Sequence, residues 1–143
     1  MSFLDKLLLW LHIAFAIFAI GPLTVVTSSI PRYIRKQDLN VLQYLKRMGR
    51  VFGLLTLGVF LFGLLLGGSN LGEVYLTVSM TLFIVAAVML VIIDRDTKKA
   101  IAALENDDPS DDGKVQVARI AALGGIVALI WLVILVLMVF FNP

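Results

Sequence analysis

The chain contains no cysteine, one histidine and four prolines among 143 residues. Without cysteine, disulfides, thiolate metal ligands and thiol nucleophiles are all excluded. The single histidine, His12, rules out any pair of histidine ligands within one chain. Charge is scarce too: Asp, Glu, Lys and Arg make up 15 % of the residues, and the central parts of the long apolar runs hold no ionisable side chain except His12. Proton pumps, ion-coupled carriers and voltage sensors bury acids or bases in the bilayer, so transport through an acidic relay is not expected. The chain is also short for a two-repeat transporter unless it oligomerises. Ser28, Ser29, Ser69, Ser79 and the threonines lack a second histidine or a nearby carboxylate pair within those runs. Acyl transfer, phosphoryl transfer and metal-assisted hydrolysis therefore lack their machinery, and no enzyme activity is expected.

What is abundant is hydrocarbon. Hydrophobic residues make up 60 % of the chain, more than a soluble domain of this length can hide. They fall in long runs, about 7–30, 51–68, 74–93 and 120–141. Each run holds roughly 18 to 24 residues, or about 27–36 Å of helix, enough to cross a bilayer. The expected fold is all-α: one domain, a bundle of four transmembrane helices, with connections at about 31–50 and 94–119. The first run is too long for a secretory signal, begins with Asp5 and Lys6, and has no Ala-x-Ala pattern before Pro31, so it reads as a retained helix.

The basic residues are unevenly placed. Of the 12 Lys and Arg residues, only Lys6 falls on the side of the termini. Arg32, Arg35, Lys36, Lys46, Arg47 and Arg50 lie in the first connection; Arg95, Lys98, Lys99, Lys114 and Arg119 lie in or beside the second. The positive-inside bias then puts both termini outside the membrane and both long connections, with the helix ends that extend into them, in the cytoplasm. The six basic residues of the first connection are placed for lipid headgroups, anionic ones included, although orienting the helices already accounts for them. No interleaving of aromatic and basic residues suggests nucleic acid.

Asp38 reads as the N-cap of a helix running into span two, with Val41, Leu42, Leu45, Met48 and Phe52 on one apolar face. Asp94 and Lys98 have the spacing of an i,i+4 ion pair. Asp108-Pro109 reads as an N-cap followed by proline, with Ser110, Asp111 and Asp112 near the helix start. DPSDDG resembles the start of a calcium loop, but the glutamate such a loop needs at its twelfth position is Arg119 here.

Small residues mark packing faces. They are Ala16 and Ala19 in span one, Gly63 and Gly67 with Thr56 and Phe60 in span two, and Ala118, Ala121, Gly125 and Ala128 in span four. Gly21-Pro22 withdraws a backbone donor from the carbonyl of Phe18 and is expected to kink span one, with Thr24 near enough to cover the gap. His12 admits two readings. It is a packed polar group bonded to a neighbouring helix, for instance at Thr77, Ser79 or Thr81, or it is a ligand or proton carrier. As a haem ligand it needs Met80, Met138 or a second protomer's histidine as its partner. The packed reading is the simpler, so no cofactor and no metal are expected.

The stretch IGPLTVVTSSIPRYIRKQDLNVLQYLKRMGRVFGLLTLGVFLFGLL from Ile20, together with LHIAF in span one, resembles a family of small four-span actinobacterial membrane proteins of unknown function. Its most specific part is GPL…T…PRYIR, the resemblance covers about the first half of the chain, and no catalytic motif comes with it. The chain is also similar, more distantly, to accessory subunits of the actinobacterial quinol-to-oxygen respiratory supercomplex, in which a cytochrome bc complex joins cytochrome c oxidase. That resemblance implies a protein without a redox centre of its own, packed beside cofactor-bearing subunits. A small haem- or metal-handling protein built on His12 and an oligomeric channel or carrier remain as alternatives.

Overall fold

The structure, a computed structural model, describes residues 2–68, 72–105 and 114–141. Its elements are α1 (Phe3–Phe15), a π-helical turn (Ala16–Ile20), α2 (Gly21–Arg35), α3 (Leu39–Gly67), α4 (Val74–Glu105) and α5 (Lys114–Phe140). α1, the π turn and α2 form one continuous span, and all four spans are long and apolar enough to cross a membrane. Helix is the only element among the described residues, as hydrocarbon demands, because it satisfies each backbone group within its own segment.

Local chemistry sets the ends. Ser2 and Asp5 form a reciprocal capping box at the start of α1, satisfying two amides that would otherwise lack partners. α2 continues past the expected end at Ile30, through a buried Pro31, to Arg35. The first connection is therefore a tight turn rather than a long segment. Gln37 adopts φ 55, and its amide donates to Ile34 O at 3.0 Å while that of Asp38 donates to Tyr33 O at 3.2 Å. These are the two bonds of a Schellman ending. Asp38 then caps α3 by accepting from the amide of Val41, as its sequence position suggests. The features expected at Asp108-Pro109 and in DPSDDG lie outside the described residues.

The Gly21-Pro22 step is absorbed by the π turn ahead of it, and the helix continues without a break. π turns and prolines are two of the few physical causes of helix distortion. Thr24 donates to Ile20 O at 2.8 Å, so its hydroxyl covers a neighbouring carbonyl rather than that of Phe18.

Packing is uneven along the bundle. At the basic end one cluster draws on every span, through Ile30 and Ile34 of α2, Leu42 and Leu45 of α3, Ile93 and Ala100 of α4, and Ile120 of α5. The apolar face expected for residues 41–52 lies here. Toward the other end a smaller cluster, Ala86 with Val127 and Ile130, joins only α4 and α5. α1 buries no residue completely and packs chiefly on α3. Aromatic pairs tie the helices together: Phe15 with Phe62 at 5.1 Å, Phe60 with Phe83 at 5.0 Å, and Phe83 with Trp131 at 5.5 Å.

Because lipid is as apolar as the side chains, association relies on close fit rather than on a drive to leave water. Gly58 supplies that fit for α1, since a Cβ there would lie 2.6 Å from the Phe15 ring. Gly58→Leu is expected to displace Phe15, at a cost of about 1–3 kcal/mol for overpacking. Hydrogen exchange in detergent should then rise in α1 and stay unchanged in the α4–α5 pair.

Candidate functional site

His12 lies on α1, facing α3. Its Nδ1 is 2.9 Å from the carbonyl of Val59. A carbonyl only accepts, so Nδ1 carries the hydrogen and donates, and in the neutral ring Nε2 keeps a lone pair. The expected partners Thr77, Ser79 and Thr81 are on α4 and do not take this role; their places in span three gave no view of a backbone carbonyl on α3. Gly63 makes the contact geometrically feasible, because a Cβ there would lie 3.0 Å from His12 Cε1. A histidine donating Nδ1–H to a carbonyl is also how many metal-bound histidines are oriented. However, no group of three metal-ligating side chains occurs among the described residues. Met80 and Met138 belong to α4 and α5, whereas α1 packs on α3.

Among the described residues, two ion pairs mark the opposite, basic end. Asp94 is bridged by Arg50 of α3, with Nε and Nη2 each 3.3 Å from a carboxylate oxygen. This replaces the expected partner Lys98 by a bond between spans. Such a half-exposed pair adds little stability, but it fixes α3 beside α4. Two residues further along α4, and so on a different face of the helix, Asp96 is only 1 % exposed. Arg119 of α5 grips both of its oxygens, Nε at 2.6 Å from Oδ2 and Nη2 bonded to Oδ1. Asp96 was not singled out from the sequence, although a signal was there. It falls in helical register with the buried Ile93, Thr97 and Ala100, and so on the inner face of α4.

The other sequence-marked residues divide by location. Ala19 is buried and Ala16 half-buried in span one; Thr56 is buried in α3, and Gly63 and Gly67 are half-covered. Gly21 is exposed and Pro22 half-buried. Ala118, Ala121 and Gly125 lie on the exposed side of α5, with Ala128 half-buried. The stripe of span four therefore points away from the bundle. Arg32, Arg35, Lys36, Arg47 and Arg50 are exposed and Lys46 is half-buried. Arg32 and Lys36 both approach the ring of Tyr33, at 5.9 and 5.4 Å from its centroid, within cation–π range.

A charge enclosed without its partner is costly, whereas an apolar replacement of the whole pair is tolerated. Arg119→Met is therefore expected to lower the melting temperature in mild detergent more than the double substitution Asp96→Leu/Arg119→Met. Equal losses would show that the enclosure of Asp96 carries no penalty.

Helix and hydrocarbon thus dominate the molecule; His12–Val59, Arg50–Asp94 and Arg119–Asp96 join different spans, while the hydroxyls of Thr24, Thr56 and Thr97 bond within their own helices. No curated protein and no solved structure matches the chain. The model of one family, described as predicted integral membrane protein (DUF2269), matches residues 6–140, and the chain belongs to that family.

Proposed function

We propose that the protein is a non-catalytic accessory subunit, held laterally against a larger integral membrane complex by the outer face of α5. The observation that carries this reading is the small-residue side of α5. Ala118, Ala121, Ala122 and Gly125 are exposed there, and nothing lies within 4 Å of a Cβ built at Gly124 or Gly125. Small residues let a second helix approach closely, a benefit lipid chains do not supply. The contacts inside the bundle use other positions, Gly49 against Val26, Gly58 against Phe15 and Gly63 against His12, so the α5 stripe is spare.

The complex favoured by the more distant resemblance to accessory subunits is a quinol-to-oxygen respiratory supercomplex of a bacterial plasma membrane. The subunit then carries no redox centre of its own. Its basic end faces the cytoplasm and both termini lie outside, in keeping with the positive-inside bias.

A second reading rests on the lone pair that His12 keeps at Nε2, which makes it available to a haem or metal ion shared with another chain. A Soret band or bound metal in the purified chain, lost in His12→Ala, would establish that reading over the first.

The accessory role is tested by purifying tagged protein from its native membrane in mild detergent. The expected result is a multi-subunit membrane complex in fixed ratio with the wild-type chain, and its loss from the Ala121→Leu/Gly125→Leu variant with helical content unchanged. A wild-type chain that purifies alone, or a variant that keeps the partner, would overturn the proposal.

A further inference from the structure

A cleft of about 360 Å³ opens between α2, α3 and α4 at the basic half of the bundle. Its wall on α3 is bare because two glycines, Gly49 and Gly53, lie along it. A Cβ at Gly53 would meet nothing within 4 Å. The hydroxyl side chains among the lining, Thr27, Thr56 and Thr97, bond back to carbonyls of their own helices, at Thr24, Phe52 and Ile93. No hydroxyl donor is left over for a polar guest, and water needs two to four polar partners to settle in a cavity. The interior is suited to hydrocarbon.

The cleft continues sideways. A second hollow of about 250 Å³ between α3 and α4 shares Leu57, Phe83, Ala87 and Val91 with the first and runs on to Phe60 and Val88. From Lys46 to Phe60 the α3 wall extends about 21 Å at about 1.5 Å per residue. One leaflet is about 20–22 Å deep when its headgroup region is included, half of about 40–45 Å, of which about 15 Å is hydrocarbon. The groove therefore matches the depth of one lipid molecule, headgroup included, rather than a water-soluble ligand.

Its charged end is equally specific. Lys46, Arg50 and Asp94 stand at the mouth. Arg50 and Asp94 neutralise one another, while Lys46 has no ion-pair partner among the described residues and leaves a net positive rim. Lys46 is half-buried, so its stem covers apolar surface while its ammonium remains at the edge. Arginine and lysine side by side suit phosphate oxygens.

We propose that the groove between α3 and α4 is a binding site for one molecule of anionic phospholipid from the leaflet at the basic end, one acyl chain lying along Gly53 and its phosphate against Lys46 and Arg50. The site is independent of the α5 face, so it stands or falls apart from the accessory role.

The test uses the full chain, in native membranes and in nanodiscs, with phosphatidylglycerol and phosphatidylcholine probes carrying a diazirine in the acyl chain. The expected result is preferential labelling of the α3 and α4 peptides around Gly53 and Ala87 by the anionic probe. Lys46→Gln should cut the preference for the anionic probe about fivefold, the effect of about one basic residue near an anionic surface. Gly53→Leu places its side chain in open space, so it should fold normally and abolish labelling in the cleft. Labelling spread evenly over all lipid-facing helices, equal labelling by both probes, or labelling untouched by Gly53→Leu would overturn the proposal. A cleft labelled only after release from native membranes would assign the groove to a protein helix and overturn it too.

Discussion

Asp96 is enclosed among apolar side chains and is held by Arg119, and that one bond decides how α5 lies against α4. The guanidinium must come from the side of α5 that meets α4, and Ile120, Val127 and Ile130 then point inward with it. Ala121, Ala122 and Gly125 are left on the outside. A buried ion pair is weak evidence of stability, because removing two charges from water offsets much of their attraction. Its stronger effect here is on register. In a helix that is apolar on every side, lipid and protein are nearly equivalent neighbours, and a single charged group can determine the rotation.

The same constraint explains the gradient along the bundle. Ion pairs and the large apolar cluster lie at the basic end, where all four spans meet. At the other end α1 is attached mainly to α3, through His12, Phe15 and the glycines that let them approach. Few buried contacts make α1 the part of the fold with least local stability. The cleft between α3 and α4 lies in the basic half, beside the large cluster, where Gly49 and Gly53 leave the α3 wall bare.

Much of this was legible in the sequence where a single helix carries the signal. The four spans, the cap at Asp38 and the inner face through Leu42, Leu45 and Phe52 follow from length, capping chemistry and period. The apolar run stops at Ile30, but the helix carries on through Pro31 to Arg35, because within a long span the neighbours tolerate the missing donor. Pairings between helices were harder. Asp94 had Lys98 at a suitable spacing on its own helix, but Arg50 lies across from it. His12 found a main-chain carbonyl, an acceptor present at every position and so invisible to a search by residue type. α5 offers no polar face to orient it, so the outward placement of its alanines and glycines could be read only from its neighbours.

The rotation of α5 supports both the account of Asp96 and the proposed docking face. The chain has no cysteine, so Gly125→Cys and Val127→Cys can each carry a nitroxide label in a reconstituted bilayer. Collision with oxygen dissolved in the lipid measures which side of the helix meets hydrocarbon. Frequent collision at position 125 and shielding at position 127 are the outcome this structure requires. Shielding at 125 with free collision at 127 would mean that α5 is turned the other way, and the account of the bundle would be wrong.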